Sequence, residues 1–274
     1  FFRCFFNFNG TAGIWRTKCI EDAGGWLART ITEDLDLSYR AQLRGWRFIF
    51  RPDVVVPAEL PQDVDAFKIQ QHRWAKGAME VATFILPRIW REPSLSFWHR
   101  LEASFHLLGN LAYPGLIAVA MLAPWVMISQ PPAETWSRLV IDSSLLFGAT
   151  GSLIIFYWVA YRRAGSKDRH PLSLLWALSI GAALALNNTR ALIEAWLRRP
   201  PEFERTPKLG RQESPTQSEP YLLSLKRGVV QGGMECVLGL YLLVAGSVAL
   251  YTGRLGAILM LTFLSTGFLF LGVS

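Results

Sequence analysis

Apolar stretches at about 105–129, 139–161, 171–189, 234–252 and 255–273 dominate the chain after Ser104. Each approaches the roughly 20 residues that a helix needs to cross a bilayer. Hydrophobic residues make up 51% of the sequence and charged residues 18%. Because the apolar share is concentrated in these stretches, only about the first hundred residues keep the mixed composition of a soluble domain. Such a chain is expected to fold as a polytopic helical membrane domain preceded by a short cytoplasmic part. That part is too short for a complete domain with its own core, although it suffices to complete one.

The formal net charge of +7 fits a membrane protein better than a nucleic-acid binder. Lys and Arg gather between the apolar stretches, as the positive-inside bias requires, and no basic-aromatic motif accompanies them. Arg162, Arg163, Lys167 and Arg169 precede the third stretch, and Arg198, Arg199, Arg205, Lys208 and Arg211 follow it. Both flanks are therefore expected on the cytoplasmic side, which a single full span cannot achieve. Asn187, Asn188 and Arg190 also shorten the apolar part of that stretch. Four full spans plus one interfacial or re-entrant element are expected.

In the soluble part, Phe5 to Phe8 reads as a strand, Asn9-Gly10-Thr11-Ala12-Gly13 as a loop, and the residues after Ile14 as the approach to a helix. Thr32 to Leu43 reads as a helix with Thr32 at its N-cap and Glu33, Asp34 and Asp36 in its first turn. Trp46 to Phe50 reads as another strand, which makes the class of this part α/β. From Val64 to about Trp90 the pattern is helical, with Gln70, Arg73, Trp74 and Gly77 on one face and Ile69, Val81 and Phe84 on the other. Beside the first apolar stretch, and with Trp90 and Trp98 nearby, this helix is expected along the bilayer surface.

Residues 1–63 are thus expected as the C-terminal part of a cytoplasmic domain and 64–103 as interface helices. Transmembrane or interface helices at 104–196, a cytoplasmic loop at 197–227 and two further spans at 228–274 complete the layout. Cys4, Cys19 and Cys236 suggest no disulfide framework or zinc site. His72, His99, His106 and His170 lack metal-ligand spacing.

Two short strings carry the chemistry. Thr32-Glu33-Asp34-Leu35-Asp36 precedes Gln70-Gln71-His72-Arg73-Trp74 by roughly forty residues. A carboxylate such as Asp34, raised in pKa by burial and by the neighbouring acids Glu33 and Asp36, suits a general base. Arg73 suits the oxygens of a departing diphosphate, and the face of Trp74 suits a stacked pyranose. Gln70 is placed to hydrogen-bond the acceptor or the nucleotide. Taken singly, the acids are also what any helix start favours, and an Arg-Trp pair is also a membrane-interface anchor.

Together, in this order and beside apolar spans, the strings resemble the TED and Q-x-x-R-W motifs of processive family 2 glycosyltransferases, the cellulose, chitin and hyaluronan synthase group. The Gln-Gln-His-Arg-Trp form is similar to the glucomannan-synthase-like branch and its bacterial relatives, a resemblance that implies a bacterial origin and a multi-pass location in the inner or plasma membrane. The resemblance implies a GT-A-type catalytic domain, of which this chain is the C-terminal part, followed by a polytopic membrane domain. It also implies inverting polymerisation of a β-linked glycan from a UDP-glucose or GDP-mannose type donor, with export across the membrane. Asp34 is then the catalytic base, and Glu33, Gly10, Thr11, Gln70, Arg73 and Trp74 contact substrate.

Phe203-Glu204-Arg205-Thr206-Pro207-Lys208 resembles the F-x-V-T-x-K gating loop, with Arg205 in place of Val. This assigns Phe203, Thr206 and Lys208 to a cover over the nucleotide. Mg²⁺ or Mn²⁺ is implied by the resemblance alone, with its ligands upstream. The expected partners are a nucleotide sugar, a glycan acceptor and the lipid bilayer. Because Phe1 is not an initiator Met and no signal-peptide pattern follows it, the chain is read as a C-terminal fragment, inactive alone. A non-processive transfer to a lipid acceptor and a non-catalytic scaffold of the same fold stay open beside this reading.

Overall fold

A computed structural model describes residues 4–61, 63–129, 135–163, 171–198 and 218–274. Ten α-helices lie among the described residues: α1 (Thr17–Asp22), α2 (Glu33–Leu43), α3 (Val64–Arg91), α4 (Phe97–Leu108), α5 (Ala112–Ser129), α6 (Thr135–Arg163), α7 (Pro171–Ala183), α8 (Ala185–Trp196), α9 (Ser218–Tyr251) and α10 (Leu255–Val273). The chain divides into two compact units, one of Phe1–Ala112 with Asn187–Glu213 and one of Tyr113–Leu186 with Ser214–Ser274.

In the first unit α2 is the central element, buried continuously from Leu35 to Ala41. Leu35 and Tyr39, one turn apart, pack with Val81, Ala82, Ile85 and Ile89 of α3 and with Ala103 and Leu107 of α4. Leu37 and Ala41 face the other way, onto Cys19 and Ala23 at α1, with Trp15, Trp46 and Phe48 around them. The alternation of apolar residues along this helix therefore marks two buried faces. The buried carboxylate of this helix is paired: Asp36, fully buried, accepts from Arg29 at 2.5 Å and from Arg40 at 2.8 Å. Arg40 in turn donates to the carbonyls of Ala23 and Gly25.

No strand occurs among the described residues, so the expected α/β class of this part is not confirmed. The segment at Phe5–Phe8 runs without helix or strand structure, and its peptide groups bond to side chains of α2 and, through Phe5 N and Glu102 Oε2 at 3.3 Å, of α4 instead of a neighbouring strand. Phe6 N donates to Gln42 Oε1 at 2.7 Å, Gln42 Nε2 donates back to Phe6 O at 2.7 Å, and Phe8 N donates to Ser38 Oγ at 3.0 Å. Trp46–Phe50 likewise carries no ladder, and Phe48 serves as an aromatic wall against Trp15. On the apolar face of α3, Val81 is wholly buried in the core while Phe84 is exposed. Trp90, Phe97, Trp98 and Phe105 are exposed as well.

The second unit is helical. α9 and α10 form a hairpin closed by Gly253, whose φ of +69° suits the left-handed end of a helix, with Arg254 N donating to Ala249 O at 2.8 Å. A methyl on Gly232 would lie 2.9 Å from the Gly272 carbonyl, and one on Gly239 would lie 2.8 Å from Leu269 Cγ. Ser265 Oγ donates to Gly239 O at 2.9 Å, and Ser179 Oγ of α7 donates to Phe263 O of α10 at 2.8 Å. Small residues that let backbones approach, joined by hydroxyl bonds between helices, are the packing style of membrane helices.

Among the described residues, Phe97–Val126 and Gly228–Tyr251 are long and apolar enough to cross a membrane. The expected third stretch breaks at Leu184 into α7 and α8, and its Asn187 and Asn188 are buried in the first unit. Of the expected loop at 197–227, residues 199–217 lie outside the described residues, and 218–227 belong to α9.

Candidate active site

The first turn of α2 carries the acidic string. Thr32 occupies the N-cap position, but its hydroxyl makes no capping bond. Asp34 takes part of that role through Oδ1, which accepts from Leu35 N at 2.8 Å. Ser38 Oγ donates to Asp34 O at 2.7 Å while accepting from Phe8 N, which anchors the segment leading into the glycine loop. Gly10 then turns with φ +73°, and a methyl on it would lie 2.9 Å from Asp34 Oδ2. Only a residue without a Cβ lets this backbone pass so close to the carboxylate. Thr11 follows on the exposed side of the turn, as does Glu33 on α2.

Burial pushes the Asp34 carboxyl above its ordinary value. The Leu35 N–H bond opposes this, the Glu33 charge adds to it, and the Arg73 guanidinium pulls it back down. Asp36, counted from sequence among the acids acting on Asp34, is instead the buried partner of Arg29 and Arg40. Its role is structural because its charge is already neutralised inside the fold.

α3 brings the second string onto the first through two contacts that the motifs themselves do not include. Gly77 lies against Thr32 and Ile31: a methyl there would fall well inside van der Waals contact with the Thr32 side chain and 2.8 Å from Ile31 Cγ2. One turn later, Glu80 Oε2 accepts from Ile31 N at 2.9 Å. These grips set α3 beside the start of α2, with Arg73 near enough to Asp34 to act on its charge. Gln70 and Arg73 are half-buried, and Trp74 is 50% exposed, which leaves much of its ring open to a ligand. Gly77 was visible in the sequence as a lone glycine in a helical pattern, a signal for close packing. Nothing in the local pattern pointed to Glu80.

Phe203, Thr206 and Lys208 lie outside the described residues. Among the described residues no three His, Cys, Asp or Glu side chains converge. Mg²⁺ or Mn²⁺ is therefore not placed by three such side chains here; a divalent ion also binds through one or two carboxylates together with substrate phosphates.

Comparison with protein families matches residues 2–186 to glycosyl transferase family group 2. The chain belongs to that family. Curated relatives of this family member include glucomannan 4-beta-mannosyltransferase 1 of Oryza sativa subsp. japonica, 32% identical over 194 residues, covering 65% of this chain and 36% of the relative. Glucomannan 4-beta-mannosyltransferase 2 of Arabidopsis thaliana is 33% identical over 194 residues, covering 65% of this chain and 35% of the relative. The chain spans about a third of the length of these relatives. Both come from plants, which lends nothing to a bacterial origin. No solved structure matches.

Proposed function

We propose that this family 2 chain forms the acceptor side of an inverting membrane glycosyltransferase that extends a β-linked polysaccharide from a nucleotide sugar and passes the product through its own helices. The observation that carries the reading is the meeting of Asp34, Gly10 and Arg73 at the start of α2. The half-buried carboxylate has its proton affinity raised by that burial, beside a glycine turn open to a sugar and a permanent cation.

In this reading the acceptor hydroxyl attacks the anomeric carbon of the donor. The new glycosidic bond forms as the bond from that carbon to the diphosphate oxygen breaks, with inversion, and the hydroxyl proton passes to Asp34. Arg73 meets the negative charge gathering on the departing nucleoside diphosphate. The acceptor sugar stacks on Trp74, while Gly10, Thr11, Glu33 and Gln70 line its approach. Phe203, Thr206 and Lys208 belong to the segment proposed to cover the nucleotide. The partners are a nucleotide sugar, a glycan acceptor and the bilayer, and the protein is multi-pass with its catalytic part cytoplasmic. The mannosyltransferase relatives make a GDP-mannose donor the first to test, with UDP-glucose the second.

The test is to express the complete open reading frame in membrane vesicles, supply a panel of labelled nucleotide sugars, and determine the linkage and length of the product. A β-linked polymer that disappears in Asp34→Asn is the expected result. A lipid-linked monosaccharide would replace polymerisation with single transfer, and full turnover by Asp34→Asn would remove Asp34 as base.

A further inference from the structure

The helix that carries Arg73 and Trp74 has a second polar face. His72, the residue before Arg73, has its Nε2 3.4 Å from Glu194 Oε2 on α8, an ion-pair distance without hydrogen-bond geometry, and Lys76 Nζ stands 4.0 Å from the same oxygen. Arg190 Nε donates to the other oxygen, Oε1, at 2.9 Å. Two turns earlier on α8, Asn187 Nδ2 donates to the backbone carbonyl of Lys68 at 2.9 Å. Lys68, His72 and Lys76 succeed one another at four-residue steps along one stripe of α3, while Asn187 and Glu194 are seven residues apart on α8. The two stripes meet inside the first unit, where Lys76 is 4% exposed and the Glu194 side chain 14%. Burial alone would raise the Glu194 carboxyl, but His72 and Arg190 outweigh it and hold its pKa down to about 2. The carboxylate is therefore charged at neutral pH.

We propose that Glu194 is a positioning residue for Arg73 and Trp74, its carboxylate fixing the rotation of α3 about its own axis through His72 and Lys76. Gly77 and Glu80 hold α3 against the Ile31–Thr32 turn on one side, and the Glu194 clamp holds it on another. Two grips at different angles around a helix prevent it from rolling. With side chains reaching about 5–6 Å from a helix axis, a roll of roughly 10–20° carries their tips by about 1–2 Å, beyond the tolerance of a site that must hold a leaving group. The inference rests on reading Arg73 as the leaving-group residue and Trp74 as the acceptor platform.

The experiment uses the complete protein in membrane vesicles, with Glu194→Gln and His72→Gln made singly and together. The Trp74 contribution to emission is obtained by subtracting the spectrum of each protein's Trp74→Phe counterpart. Both substitutions are expected to shift that contribution, and the pair to shift it no further than either alone. Glu194→Gln is expected to lower kcat roughly tenfold with donor KM changed by less than about twofold, since the effect falls on transition-state contacts. In an Arg73→Lys background the same substitution is expected to cost less than about threefold, because residues acting through one group are not additive. An unshifted Trp74 contribution, or an undiminished tenfold loss beside Arg73→Lys, overturns the proposal. Vesicles that use no donor at all would defeat the proposed function, while the emission measurement would still decide the role of Glu194.

Discussion

Replacing Gly77 by alanine tests the contact that joins the two motifs. The new methyl would fall inside the Thr32 side chain and 2.8 Å from Ile31 Cγ2, where carbon atoms ordinarily rest about 3.5–4.0 Å apart. Relief requires α3 to withdraw from the start of α2 by about 1 Å. Overpacking of this kind costs about 1–3 kcal/mol, while alanine in a helix interior recovers about 1 kcal/mol relative to glycine. The net loss of stability is expected to be only about 0–2 kcal/mol. Turnover is more sensitive, because a misplacement of about 1 Å between Asp34 and Arg73 costs on the order of 100-fold. The assay is sugar transfer by the complete protein in vesicles, read beside its thermal unfolding. Adding Thr32→Ala removes the most crowded atoms and should recover about tenfold of the rate, although Ile31 still obstructs. Wild-type turnover by Gly77→Ala, or a double variant no faster than the single one, would refute the reasoning.

Further outcomes follow from the charges around α2. The folded-state pKa of Asp34 is raised, so its ionisation disfavours the fold: the stability it contributes is present at low pH and is lost as pH rises through the folded value. Asp34→Asn should therefore abolish transfer without lowering the unfolding temperature at neutral pH, and a lowered temperature would contradict the burial argument. Glu33→Gln removes a charge that raises the Asp34 pKa, so the acid limb of the pH-rate profile should move to lower pH. Arg73→Gln removes one that lowers it, and the limb of the remaining activity should move to higher pH. Asp36→Ala, by contrast, leaves Arg40 buried without its carboxylate and should destabilise the protein by about 3–5 kcal/mol in denaturant unfolding. For Glu194, whose folded value of about 2 lies below its ordinary 4.5, the stabilisation is complete above pH 4.5 and fades as pH falls toward 2. Acid unfolding of Glu194→Gln should lack that component.

Several elements were legible without coordinates because they depend on short-range chemistry. The helix after Thr32 with acids in its first turn, the long helix bearing Gln70, Arg73 and Trp74, and the glycine turn at Gly10 all follow from local capping, periodicity and backbone freedom. The misleading segments were those whose conformation depends on a partner. Phe5–Phe8 has the composition of a strand, but its hydrogen bonds go to Gln42, Ser38 and Glu102, so its composition could not reveal the structure. The burial of Val81 was not legible either, because an apolar face has the same pattern whether bilayer or protein covers it.

The sequence by itself determined which residues are available for chemistry, since an acid, an arginine and a tryptophan carry their reactivity wherever they are placed. It also determined the apolar lengths that the bilayer argument requires. Only the tertiary structure decided which acid is the exceptional one. Asp34 and Asp36 differ by two positions on one helix, yet that turn of about 200° sets one beside Gly10 and buries the other between Arg29 and Arg40. The grips of Gly77, Glu80 and Glu194 likewise join residues far apart in the chain, and such contacts exist only once the helices that carry them have packed.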